Sequence, residues 1–194
     1  MKIINNALIT VPRKHILHRL KFNKHKNIDS DKFLKIIEHE INMTSNIIIY
    51  DIVDNLFQDN KIVIDNVSFE SNLVTKFMKN SKKILLMAST VTEDTFSRYQ
   101  KYKEQDMTKY IILDAVLSEK TDYGLDFLQN TLNRELLPQG MKTGKRISCG
   151  YGDFDIKNQE FFYNYLNLKK YNITLSENYI MVPEKTVTAI CGIF

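Results

Sequence analysis

Arg146-Ile147-Ser148-Cys149-Gly150-Tyr151-Gly152-Asp153 is the stretch in which this chain changes character. A β-prone run, Lys142–Ser148, ends in it, and two glycines one residue apart let the backbone turn sharply and expose its N–H and C=O groups. Arg146 arrives at the same place with a planar fork suited to a carboxylate or a phosphate. Two readings follow from these residues. One is a loop that binds a small anion or an amino acid. The other is a tight strand-to-helix turn whose arginine pairs with a surface acid. A Rossmann phosphate loop is excluded, because that fold needs its glycines after the first strand with several β-α units still to come.

All six glycines and two of the three prolines lie after residue 123, so the first two thirds should be regular elements joined by Asn/Asp/Ser turns. Pro12 suits a helix N1 position ahead of Ile16, Leu17 and Leu20, and Ser30 suits the N-cap of a helix carrying Phe33, Leu34, Ile36, Ile37 and Ile41. Asn46–Ile52 and Lys61–Ile64 read as strands divided by an Asp59-Asn60 turn. Ser71 can cap a short helix, and Lys83–Ser89 reads as a buried strand. From Thr92 to about Leu137 the pattern is helical with a break near Asp106, and Pro138-Gln139-Gly140 ends it. After the glycine loop, Asp155 caps a helix to Leu168, and strands Tyr171–Leu175, Tyr179–Val182 and Thr186–Ile193 close the chain. Helices and strands mix without β-α-β alternation, which predicts an α+β fold with a largely antiparallel sheet.

On the long helix, Glu119, Asp122 and Asp126 fall within about 60° of one another on a helical wheel, opposite Leu117, Leu128 and Leu132. Like charges at this spacing cost about 0.2–0.5 kcal/mol, and a cationic ligand lying across them reverses the sign. The competing reading is a solvated acidic face offset by lysines such as Lys120. Gly124 inside the same helix costs about 1 kcal/mol relative to alanine and points to a close approach or a break.

With 194 residues, 43% hydrophobic and 26% charged, the chain has the composition of one soluble globular domain, residues 1–194. It lacks an apolar run able to span a bilayer, so no membrane partner is expected. Cys149 and Cys191 form no metal or disulfide pattern, and the expected compartment is the reducing cytoplasm. The net charge of +4 is concentrated between Arg13 and Lys26, where His15, His18 and His25 also sit. That segment suits a phosphate backbone or an acidic partner, or simply a solvated helix. No nucleic-acid module pattern accompanies it, so no nucleic-acid partner is expected. His15 and His18 have ligand spacing but no evident third ligand.

Three stretches resemble the activation domain of vitamin B12-dependent methionine synthase in its short, stand-alone bacterial form. R-I-S-C-G-Y-G-D-F (Arg146–Phe154) is similar to the family's R-x-S-P-G-Y-G-D. M-V-P-E-K-T-V-T-A-I-C-G-I (Met181–Ile193) is similar to the family's closing strand, and I-L-L-M-A-S-T followed by I-I-L-D-A (Ile111–Ala115) to its buried strand and next helix. The resemblance is good from residue 71 onward; residues 1–70 match only loosely. It implies a bent antiparallel sheet with flanking helices. It also implies an accessory role in reductive reactivation of a cobalamin-dependent methionine synthase, by binding S-adenosylmethionine and docking on the cobalamin domain. Flavodoxin or another low-potential reductant would supply the electron. Since D-x-H-x-x-G is absent, the cobalamin would be held by a separate methionine synthase chain, and this chain would not be catalytic alone. By resemblance, Arg146 would hold the ligand's carboxylate, Ser148 and Gly150 its polar groups, Tyr151 would pack alongside, and Asp122 and Asp126 would meet its positive charge. Cys149 replaces the family's proline, and the family's later ligand-contacting tyrosines have no counterpart before Phe194. Those departures leave an alternative: a non-catalytic interaction module of the same fold that no longer binds S-adenosylmethionine.

Overall fold

The structure, a computed structural model, describes residues 1–21, 30–58 and 60–194, with the backbone alone for Ser30 and Lys32. Its centre is a four-stranded antiparallel sheet. In spatial order it runs β1 (Lys2–Ala7), β2 (Asn46–Asp54), β6 (Lys83–Val91) and β9 (Thr186–Ile193). Both faces are covered, which is why β6 carries the unbroken apolar run Ile84–Ala88 and why every residue from Ile84 to Val91 is buried. On one face, Ile48, Tyr50, Leu85, Met87, Ala189 and Cys191 form a core with the helices α2 (Ser30–Asn42) and α5 (Met107–Leu136), against which α1 (Arg13–Arg19) and α4 (Glu93–Gln105) also pack. On the other face, Ile49, Ile84, Leu86, Ala88 and Ile190 meet α3 (Asn72–Met78) and α6 (Gln159–Tyr165). A small sheet of β3 (Leu56–Gln58), β4 (Lys61–Ile64) and β5 (Val67–Phe69) closes this second core.

Local chemistry sets the ends of these elements. Ser71 accepts a hydrogen bond from the Val74 N–H and so caps α3. The break near Asp106 is the start of α5, where the Asp106 carboxylate accepts from the Lys109 N–H at 3.1 Å. Asp65 and Asn66 both take positive φ (48° and 63°) in the two-residue turn joining β4 to β5. Gly124 is a close approach: a Cβ there would lie 2.3 Å from the Ser89 Oγ of β6.

Several sequence expectations are corrected. Lys142–Ser148 is an irregular arm along the edge of β9, bridged among the described residues at Thr143–Ile193 and Ile147–Ile190, with Arg146 between them directed toward α5. The helix expected from Asp155 to Leu168 is a 3₁₀ turn, Ile156–Asn158, followed by α6, and Asn167 at φ 46° ends it. The strands expected at Tyr171–Leu175 and Tyr179–Val182 shrink to β7 (Thr174–Leu175) and β8 (Met181–Val182). Pro12 is the N-cap of α1 rather than its first residue. β1, β3 and β5 had no reading in the sequence. The Ser30 side chain, Asp59, Lys24, His25 and Lys26 lie outside the described residues.

Candidate functional site

The arm 142–147 and helix α5 converge on Arg146. Its Nη2 donates to the Asp122 Oδ1 at 3.0 Å, its Nη1 donates to Asp126, and the Gln129 Oε1 lies 3.4 Å from Nη1. These three α5 residues succeed one another at helical spacing, so one helix face presents two carboxylates and an amide to one guanidinium. Burial opposes the charge on Arg146, but Asp126 and Asp122 outweigh it and hold the group above the ordinary arginine value. The Arg146 side chain keeps 21% exposure and the aspartates 57% and 44%, so the cluster faces solvent.

Gln129 had no role in the sequence reading. Its Nε2 donates to the Gly144 carbonyl at 2.9 Å and to the Thr143 Oγ1 at 3.2 Å, while the Thr143 N–H donates to Asn133 at 2.7 Å. These bonds stitch the arm to α5 and so position Arg146. The only sequence signal was its place three residues after Asp126.

Past Arg146 the chain enters a tight loop. Ile147 is buried and pairs with Ile190 of β9. The Tyr151 N–H donates to the Ser148 carbonyl at 3.2 Å, and the Gly150 N–H to the Phe154 carbonyl at 2.6 Å. Gly150 and Gly152 both have positive φ (82° and 62°), where a side chain is strained. Tyr151 is 64% exposed. Among the described residues no hydrogen bond joins Ser148, Gly150 or Tyr151 to α5. The structure thus brings together Arg146, Asp122 and Asp126, and leaves the other three residues further along the arm.

Asp153 closes the loop by reaching α3. Its carboxylate accepts from the Ser71 hydroxyl and from the Asn72 and Leu73 N–H groups, and these bonds, led by the hydroxyl, hold its pKa below the ordinary range. The Cys149 thiol is half-buried against the second core, and burial pushes its pKa up to about 12, so it is not a poised thiolate.

Two expectations on α5 change. Glu119 does not stand with the two aspartates toward Arg146; it accepts from Arg19 at 2.7 Å, with His15 at 3.9 Å. Lys120 does not offset the acidic face. It is 1% exposed, and its Nζ donates to the Ile41 carbonyl in the last turn of α2 and to the Thr44 carbonyl just past it, at 2.7 and 2.6 Å. His15 contacts the Tyr123 hydroxyl, and among the described residues no three His, Cys, Asp or Glu side chains gather around a possible metal. Among the described residues, no helix is long and apolar enough to cross a membrane.

No protein-family model matches the chain, and no curated protein matches it in sequence. In three dimensions it is similar to a crystal structure of the MetH reactivation domain bound to AdoHcy. The TM-score is 0.67 at 11% sequence identity, over 95% of this chain and 70% of that one. The α+β fold built on an antiparallel sheet is therefore that of the methionine synthase reactivation domain.

Proposed function

We propose that this protein serves reductive reactivation of a cobalamin-dependent methionine synthase, binding S-adenosylmethionine at Arg146, Asp122 and Asp126 and docking on the cobalamin domain of a separate chain. The observation that carries this reading is the apposition of one guanidinium to two carboxylates at an exposed face. At neutral pH S-adenosylmethionine bears a carboxylate, an ammonium and a sulfonium. The cluster offers the complement, one cation and two anions.

Ligand entry would be an exchange of partners. The bonds lost and gained are of one kind, hydrogen bonds between charged groups, so the ligand's carboxylate can replace Asp122 and Asp126 at little net cost. The Arg146 guanidinium would turn to the ligand's carboxylate and free Asp122 and Asp126 for its ammonium and sulfonium. Ser148 and Gly150 would supply backbone groups, and the exposed Tyr151 ring would cover the ligand. Bound S-adenosylmethionine supplies the methyl group. A flavodoxin-like reductant supplies the electron.

The alternative is a docking module of the same fold that does not bind the nucleoside. It is favoured by the saturation of Arg146 by two acids of its own chain. Calorimetric titration with S-adenosylmethionine, with and without the partner methionine synthase, separates the two. Micromolar binding supports the first reading, and a complex that forms with no ligand affinity in either state selects the second.

A further inference from the structure

On the sheet face away from α5, two cavities of about 470 and 300 Å³ lie between the small β3–β4–β5 sheet and α6, and they share Asp65 and Tyr165. They form one groove with two unlike halves. The larger half is lined by the carboxylates of Asp65 and Glu160 and by the rings of Phe161 and Tyr165. Those rings stack 5.3 Å apart, and the Tyr165 hydroxyl donates to Asp51 at 3.2 Å, so this wall is held in place. The smaller half is mainly aliphatic, with Val53, Leu56, Val63 and Ile64; Asp54 also lines it and is engaged by Lys83 at 3.2 Å.

The charge of the groove runs against that of the molecule. The chain carries +4, yet Asp65 and Glu160 have no ion-pair partner among the described residues, and Lys157, the one cation in the larger half, is engaged by Asp155 at 3.4 Å. A cation beside free carboxylates and over aromatic faces is doubly favoured. An aliphatic side chain gains by filling the other half. Leu56 and Val67, at 51% and 39% exposure, leave apolar surface at the rim.

We propose that this groove takes an extended segment of a partner protein carrying a basic side chain, for the acid- and ring-lined half, close to an apolar one, for the aliphatic half. This does not rest on S-adenosylmethionine binding, because the Arg146 cluster belongs to the other face of the sheet. An extended segment fits better than a compact ligand because the two halves demand different chemistry within one continuous cleft.

The test is selection from a random dodecapeptide library displayed on phage against the full chain, followed by titration of the enriched peptide. Enriched sequences are expected to pair Arg or Lys with an apolar residue. The peptide should shift the amide resonances of Asp65, Val67, Glu160 and Asn164, and bind at least about tenfold more weakly to an Asp65→Asn, Glu160→Lys double variant. Both substitutions are at exposed positions, and Asn keeps the turn at residue 65. No enrichment, acid-rich sequences, shifts confined to another face, or equal binding to the folded variant would each overturn the proposal. Concentration-dependent dimerisation of the chain that this variant abolishes would overturn it in favour of a second copy.

Discussion

Asp153 and Ser71 are 82 positions apart in the chain and 2.6 Å apart in the fold, with the serine hydroxyl donating to the carboxylate. The same carboxylate accepts from the Asn72 N–H at 2.7 Å and the Leu73 N–H at 3.1 Å. The glycine loop that follows Arg146 is thereby fixed to the start of α3.

Asp153→Ala should therefore lower the melting temperature and loosen the loop, seen as faster amide exchange at Gly150 and Phe154. The pH dependence has a defined sign. The folded pKa of Asp153 lies below its unfolded value of about 3.9, so its contribution is complete above that value and is lost as pH falls through the folded one. Wild type and Asp153→Ala should converge in stability under acid. A gap that stays constant down to the lowest pH would contradict the carboxylate's role.

Arg146→Ala should weaken S-adenosylmethionine binding by about 1.5–3 kcal/mol, and Arg146→Lys should recover only part, because an ammonium cannot reproduce the fork. S-adenosylhomocysteine lacks the sulfonium charge and should bind less tightly. That preference should shrink in high salt and in an Asp122→Asn, Asp126→Asn variant. Affinities indifferent to the arginine substitutions, to salt and to the double aspartate variant would remove the cluster from the site.

Gly124→Ala sets two effects against each other. The helix gains about 1 kcal/mol in propensity, but the added methyl would meet the Ser89 Oγ at 2.3 Å and Cβ at 3.1 Å, an overpacking worth about 1–3 kcal/mol. Net destabilisation is expected in chemical denaturation. Ser89→Ala alone should be neutral or stabilising, because the buried Ser89 hydroxyl has no hydrogen-bond partner, and it should rescue part of the loss in the double variant.

Lys120→Met should cost about 1–3 kcal/mol, because the Thr44 carbonyl would lose its Lys120 donor and the Ile41 carbonyl would keep only the Thr44 hydroxyl at 3.3 Å, while the aliphatic volume is retained. If Lys120 were an ordinary surface lysine, denaturant midpoints would not move.

The amino-acid sequence by itself determined the elements whose cause is local. The Ser71 cap, the Asp106 break, the buried run of β6 and the long α5 stripe are written within a turn or two of each residue, where periodicity and capping act. Gly124 signals either a close approach or a break in the helix, and the tertiary contact with Ser89 decides for the close approach. Of the site, the residue types were legible: a fork on an arm and two acids on one helix face. The tertiary structure alone decided their pairing, since the arm that carries Arg146 to Asp122 and Asp126 is sewn to α5 by Gln129 and Asn133. It also separated Glu119, drawn to Arg19 on α1, from the aspartates beside it, and buried Lys120 over carbonyls at the C-terminal end of α2 and just past it. Short strands such as β3 and β5 escaped for the same reason. They are three residues long and exist through their neighbours, so the energy that forms them is spent across the sheet rather than along the chain.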